Sequence, residues 1–176
     1  DRPRAAVYAI ITVAGAHGVM VAVMAMTPVH LMHIMGGSND AATITVIGFT
    51  ISLHIAGMYG LSPVFGILAD KMGRVPTILL GQAILVASLL TAALGQASTT
   101  AVTIALVLLG LGWSASTVAG STLLTEASAE ELRTRRQGRS DLIMSLVAAP
   151  GAVMARVVLG WVGFGGTPVI AASSEQ

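Results

Sequence analysis

An all-α, polytopic membrane protein is the fold class this sequence predicts, and three observations predict it. Hydrophobic residues make up 55% of the 176 positions and charged residues only 10%, against roughly 25% charged in a soluble domain. Five long runs are almost free of charge, each near the ~20 apolar residues that a helix needs to cross a hydrocarbon core. The charges that remain collect in the breaks between those runs.

The first span is expected over Ala5–Met26, with an extension past Pro28 to Met35 kinked at that proline. The second covers Ala42–Ala69 and holds Pro63, the third Pro76–Leu94, the fourth Ala101–Thr125, and the fifth Leu142–Phe164 with Pro150 inside it. None alternates as a barrel strand would, and all exceed strand length. Helix is also what lipid demands, because it satisfies the backbone within one segment and tolerates an internal proline there. The breaks are turn-rich: Gly36–Asp40, "GRVP", Gly95–Thr99 and Ser128–Asp141. Residues 1–176 thus read as one transmembrane bundle, with 165–176 a short tail too polar to span again. The start at Asp1 and that tail predict a piece of a longer chain, truncated before a sixth helix. Asp1-Arg2-Pro3-Arg4 leads into a run too long for a cleaved signal peptide.

The basic residues supply an orientation. Arg2 and Arg4 precede the first span, Lys71 and Arg74 separate the second from the third, and Arg133, Arg135, Arg136 and Arg139 separate the fourth from the fifth. Eight of the nine Lys and Arg residues therefore share one side. By the positive-inside rule that side, with the N-terminus, is cytoplasmic. The bilayer is the expected partner, in a cell membrane, and the net charge of +1 gives no reason to expect nucleic acid. Without cysteine there is no disulfide framework, thiol nucleophile or thiolate metal site.

The stretch "GILADKMGRVP" concentrates Asp70, Lys71 and Arg74 directly after an uncharged run. A carboxylate near a helix C-terminus meets partial negative charge, so Asp70 needs a compensating Arg or a neighbouring helix N-terminus. Lys71 and Arg74 are cations suited to that end. Gly66, one turn earlier, is expected to let another helix approach closely. Gly73 permits a tight reversal, and Pro76 is placed to open the next helix. A plain solubilising turn would need only Gly and Pro.

Gly66-x-Leu68-Ala69-Asp70-Lys71-x-Gly73-Arg74 closely resembles the signature loop of the major facilitator superfamily of secondary transporters. Glu126 followed by "AEELRTRRQG" resembles the family's acidic residue, linker and Arg–Gly element, which includes Arg133. The likeness covers all five spans. It implies half of a two-bundle transporter that moves a small solute, with or without a coupling proton, and whose other half is the missing partner. It also implies that Asp70, Arg74 and Glu126 form a charge network that latches one conformation. First-half fourth helices of proton-coupled drug exporters in this family carry an Arg four residues before a Gly-x-Gly. Here Leu106 stands four residues before Gly110-Leu-Gly112, and "AAPGAVMA" matches the exporters' fifth-helix motif poorly. These departures point to the second half, helices seven to eleven, and away from proton-driven drug export.

Ionisable groups at bilayer depth are costly and mark functional positions. His17 lies ~18 Å along the first span, and His54 ~22 Å deep in the second. Each fits either a neutral histidine bonded to a neighbouring helix or a lining residue of a substrate path. Arg156, about as deep, either lines a cavity or snorkels outward. Trp113, Ser114, Ser116 and Thr117 follow a Gly-rich segment, where Ser and Thr read first as packing residues and Trp113 as a further substrate-path candidate. Met20, Met24 and Met26 read as lipid-facing or packing residues. His30 and His33 have helical metal-ligand spacing but read better as an exposed loop pair. No metal and no cofactor is expected. Zinc-protease, nucleophile-elbow and phosphate-loop motifs are absent, so an enzyme is not expected. A non-transporting membrane scaffold or sensor is the alternative function.

Overall fold

In the computed structural model of the chain, residues 1–37 and 40–162 are described, with side chains to Val157. Ser38 and Asn39 of the Gly36–Asp40 turn, the end of the fifth span at Phe164 and the 165–176 tail lie outside the described residues.

Pro3, which needs no donor in a first turn, opens α1 (Pro3–Ile34), and that helix runs on through Pro28. Asp40 caps α2 (Ala41–Tyr59) by accepting from the Thr43 N–H at 2.8 Å. The second span then breaks at Gly60 and Leu61, before α3 (Ser62–Met72). Pro63 is therefore not inside a continuous helix. It occupies the first turn of α3, where its missing N–H leaves no bond unmade. Gly73, at φ +99°, is the only residue between α3 and α4 (Arg74–Leu94). That left-handed value suits glycine and makes the reversal possible in one step. Ser98 caps α5 (Thr99–Ala127) through the Ala101 N–H at 3.3 Å. A single 3₁₀ turn (Glu130–Leu132) leads into α6 (Arg133–Val162), which includes Pro150. The helix thus starts within the basic segment, upstream of the apolar run.

Five of these helical stretches are long and apolar enough to cross a membrane, α2 and α3 counting as one, and there is no strand among the described residues. The chain is an all-α polytopic membrane protein. Its centre is α5, which packs against α1, α2, α3 and α4, while α6 packs mainly on α1. Glycines set that centrality. A Cβ on Gly110 would fall 3.0 Å from the Met58 nitrogen and closer still to the His54 carbonyl of α2. On the opposite side of α5, a Cβ on Gly112 would sit 2.9 Å from the Gly81 carbonyl of α4. Small residues let the backbones approach from both flanks, which is how membrane helices pack without a hydrophobic driving force. Polar bonds cross the same seams: Ser88 Oγ donates to the Ala105 carbonyl at 2.6 Å, and Thr50 pairs with Thr103 at 3.0 Å.

Candidate functional site

Two groups of polar residues stand out, one at the basic end of the bundle and one near its middle. At the basic end, the Arg74 guanidinium bridges two carboxylates. Its Nε and Nη2 donate to Glu126 Oε1 at 3.2 and 2.7 Å, and its Nη1 donates to Asp70 Oδ1 at 2.5 Å. Each member sits at an unfavourable place on its own helix. Asp70 is in the last turn of α3 and Glu126 in the last turn of α5, both at negative dipole ends, while Arg74 is the first residue of α4, at a positive one. Brought together, the three offset one another. The Arg74 side chain is 20% exposed, Glu126 43% and Asp70 70%, so water screens each pair and its net worth is that of a surface ion pair, about 0.2–1 kcal/mol.

The other signature residues divide. Gly73 makes the reversal that aligns Asp70 with Arg74. Lys71 is exposed and makes no ion pair among the described residues. Arg133 does not join the trio: its Nε donates to the Thr125 carbonyl at 3.3 Å, capping the end of α5. Arg136 does similar work, donating to Ser128 Oγ at 3.2 Å and to Asp1 at 2.5 Å. Cations there suit a helix C-terminus. Gly66 departs from expectation. A Cβ built on it would meet nothing within 4 Å, so no described helix makes the close approach its small size invites.

Near the middle, His17 of α1, Tyr59 of α2 and Trp113 of α5 form one aromatic group. The His17 and Trp113 rings lie 6.4 Å apart, and Tyr59 meets Trp113 edge-on at 6.0 Å. The polar tips are not paired. His17 Nδ1, Trp113 Nε1 and Thr117 Oγ1 are buried without a hydrogen-bond partner among the described residues. An unmade bond of this kind costs about 1–3 kcal/mol when dry, so these atoms mark a polar spot in an otherwise apolar interior. Thr117 lies one turn beyond Trp113 on the same face of α5.

His54 is not brought into that group. It is 1% exposed, and its Nδ1 donates to the Leu106 carbonyl at 2.8 Å, so Nε2 is the ring's acceptor and it too is buried without a partner. Arg156 is exposed on α6 and has no hydrogen bond or ion pair among the described residues. Ser114 and Ser116 act as packing groups, bonding Ser62 at 3.1 Å and Gln82 at 3.2 Å. Met20 and Met24 pack in the core. His30 corrects the exposed-loop reading: α1 extends to Ile34, so His30 is 7% exposed and its Nε2 lies 2.6 Å from the Gln96 carbonyl. Among the described residues no group of three or more His, Asp or Glu is placed to hold a metal ion.

Tyr59 was missed by sequence reasoning. Its signal was present, because tyrosine is rare here and this one sits just before a glycine in the middle of a span.

The family model described as Major Facilitator Superfamily matches residues 8–173. An uncharacterized MFS-type transporter of Bacillus subtilis (strain 168), YddS, is 37% identical over 142 residues, covering 80% of this chain and 31% of its own length. A second, YdeG of the same organism, is also 37% identical over 142 residues, covering 80% of this chain and 32% of its own length. The chain thus spans about a third of the curated relatives it matches. No solved structure matches it.

Proposed function

This chain belongs to the Major Facilitator Superfamily, and from that premise we propose that it forms five helices of a secondary transporter that carries a small solute by alternating access. The basic end is cytoplasmic by the positive-inside rule, in a cell membrane. Leu106 and the "AAPGAVMA" segment favour the second half of the transporter, with a partner bundle supplying the rest. In such transporters two bundles rock about a midplane site between them. His17, Tyr59, Trp113 and Thr117 form this chain's share of that site, and their unpaired donors favour a solute with hydrogen-bond acceptors.

The observation that carries the reading is the Arg74 bridge. Three charges, each misplaced on its own helix, are tolerable together and unfavourable apart. Such a group makes a latch: a difference of ~1.4 kcal/mol between states shifts their ratio tenfold. Membership in this family points to a carrier and not to an enzyme.

Asp70→Asn in the intact transporter tests the latch. The expected outcome is a transport rate lowered by up to about fivefold, the reach of a surface ion pair of about 1 kcal/mol, with solute affinity in the outward-open form unchanged. Normal turnover with weakened affinity would instead place Asp70 in the solute path.

A further inference from the structure

A groove of about 340 Å³ runs between α1 and α6 at the basic end of the bundle. Val7, Ile10, Ile11 and Ile143 line its apolar part, and Arg136 and Arg139 stand at its rim. Val7 is 55% and Ile11 64% exposed, so no described part of the chain covers the apolar floor. Arg136, Arg139 and Ile143 fall three and four residues apart on α6, which puts them on one face. The two arginines differ. Arg136 is engaged by both Asp1 oxygens, at 2.5 and 3.2 Å. Arg139 is exposed and has no hydrogen bond or ion pair among the described residues.

We propose that this groove seats an anionic phospholipid, with its phosphate on Arg139 and an acyl chain along Val7, Ile10 and Ile11. Depth and charge select that occupant. From Pro3 to Ile11 the groove descends ~12 Å along α1, most of one leaflet of a ~30 Å hydrocarbon core. Its charged end therefore lies at headgroup level and its apolar end among acyl chains. Guanidinium matches phosphate oxygens in geometry and charge. A zwitterionic headgroup is less suited, because no carboxylate is among the groove's described lining residues and the Asp1 carboxylate is engaged by Arg136. Basic pockets between membrane helices select anionic lipids on these grounds. The lipid site is independent of the Arg74 latch, which lies on α3, α4 and α5.

Native mass spectrometry of the intact transporter released from nanodiscs of equal phosphatidylglycerol and phosphatidylcholine tests this. The expected result is one retained phosphatidylglycerol that Arg139→Ala weakens about fivefold, the worth of one juxtamembrane charge. Ile11→Trp, which fills the groove without altering charge, should displace the same lipid. Lys71→Ala, a charge-matched change elsewhere, should leave it bound. Equal retention of the two lipids would overturn the proposal, as would displacement by inorganic phosphate alone. If protein closes the groove, from the partner bundle or a second copy, no lipid will depend on Arg139, and that result also overturns it.

Discussion

The basic end and the middle of this bundle solve the problem of polar groups in opposite ways. At the basic end three charges from three helices find one another: Arg74 satisfies both Asp70 and Glu126, and the carbonyls that end α5 are met by Arg133 and Arg136. In the middle, His17, Trp113 and Thr117 keep buried polar atoms that nothing in the described chain satisfies. Both arrangements are costly to build from membrane helices. A satisfied cluster between helix ends holds elements together and can be broken and remade. An unsatisfied one has binding capacity left for a molecule that is not part of the chain.

The largest effect should come from the scaffold that holds the middle group in place. Gly110→Ala would push a Cβ into the His54 carbonyl and Met58 nitrogen of α2, and overpacking of this kind costs roughly 1–3 kcal/mol. Thermal unfolding in detergent should show a clearly lowered midpoint. Gly66→Ala, where a Cβ meets nothing, should leave it unchanged within this chain. Equal effects at the two glycines would erase the structural contrast between them.

Next comes the geometry of the latch. Arg74→Lys keeps the charge but loses the planar fork that reaches Glu126 through two nitrogens and Asp70 through a third. The transport rate should fall about twofold, between the wild type and Asp70→Asn. Full activity with lysine would reduce the trio to a simple count of charges.

The smallest effect on stability, yet a specific one on binding, is expected of Trp113→Phe. It removes a donor that has no partner in the protein, so the unfolding midpoint should hold or rise slightly. Solute affinity should fall about fivefold, the value of one hydrogen bond near 1 kcal/mol. If the midpoint falls while affinity is kept, Trp113 is a packing residue.

How much of this was legible beforehand follows from what each feature depends on. The five spans and the one-sided basic residues need only length and composition, and the Asp70–Arg74 pair needs only the tight reversal that Gly73 permits between them. The pairing with Glu126 spans 52 positions; a family resemblance implied it, and local patterning could not. The central place of α5 was hidden because its apolar residues run all round the helix, leaving no face to read. His30 was misjudged although the helix was expected to run past Pro28, because its contact is the Gln96 carbonyl 66 positions away, which no local pattern shows. Gly66 shows the reverse case. A small residue permits close approach but does not require one, and here no described neighbour uses it.

The most direct measurement of the claim that the middle group serves a solute path is the reactivity of Thr117→Cys. The chain has no cysteine of its own, so a single thiol can be followed in the intact transporter with a small, charged, membrane-impermeant reagent. That thiol should be modified, at a rate that changes when Asp70→Asn disturbs the latch. A cysteine at 117 that stays unreactive in both backgrounds, while one at the exposed turn position Ser98 is labelled, would contradict it and return His17, Trp113 and Thr117 to the packed interior.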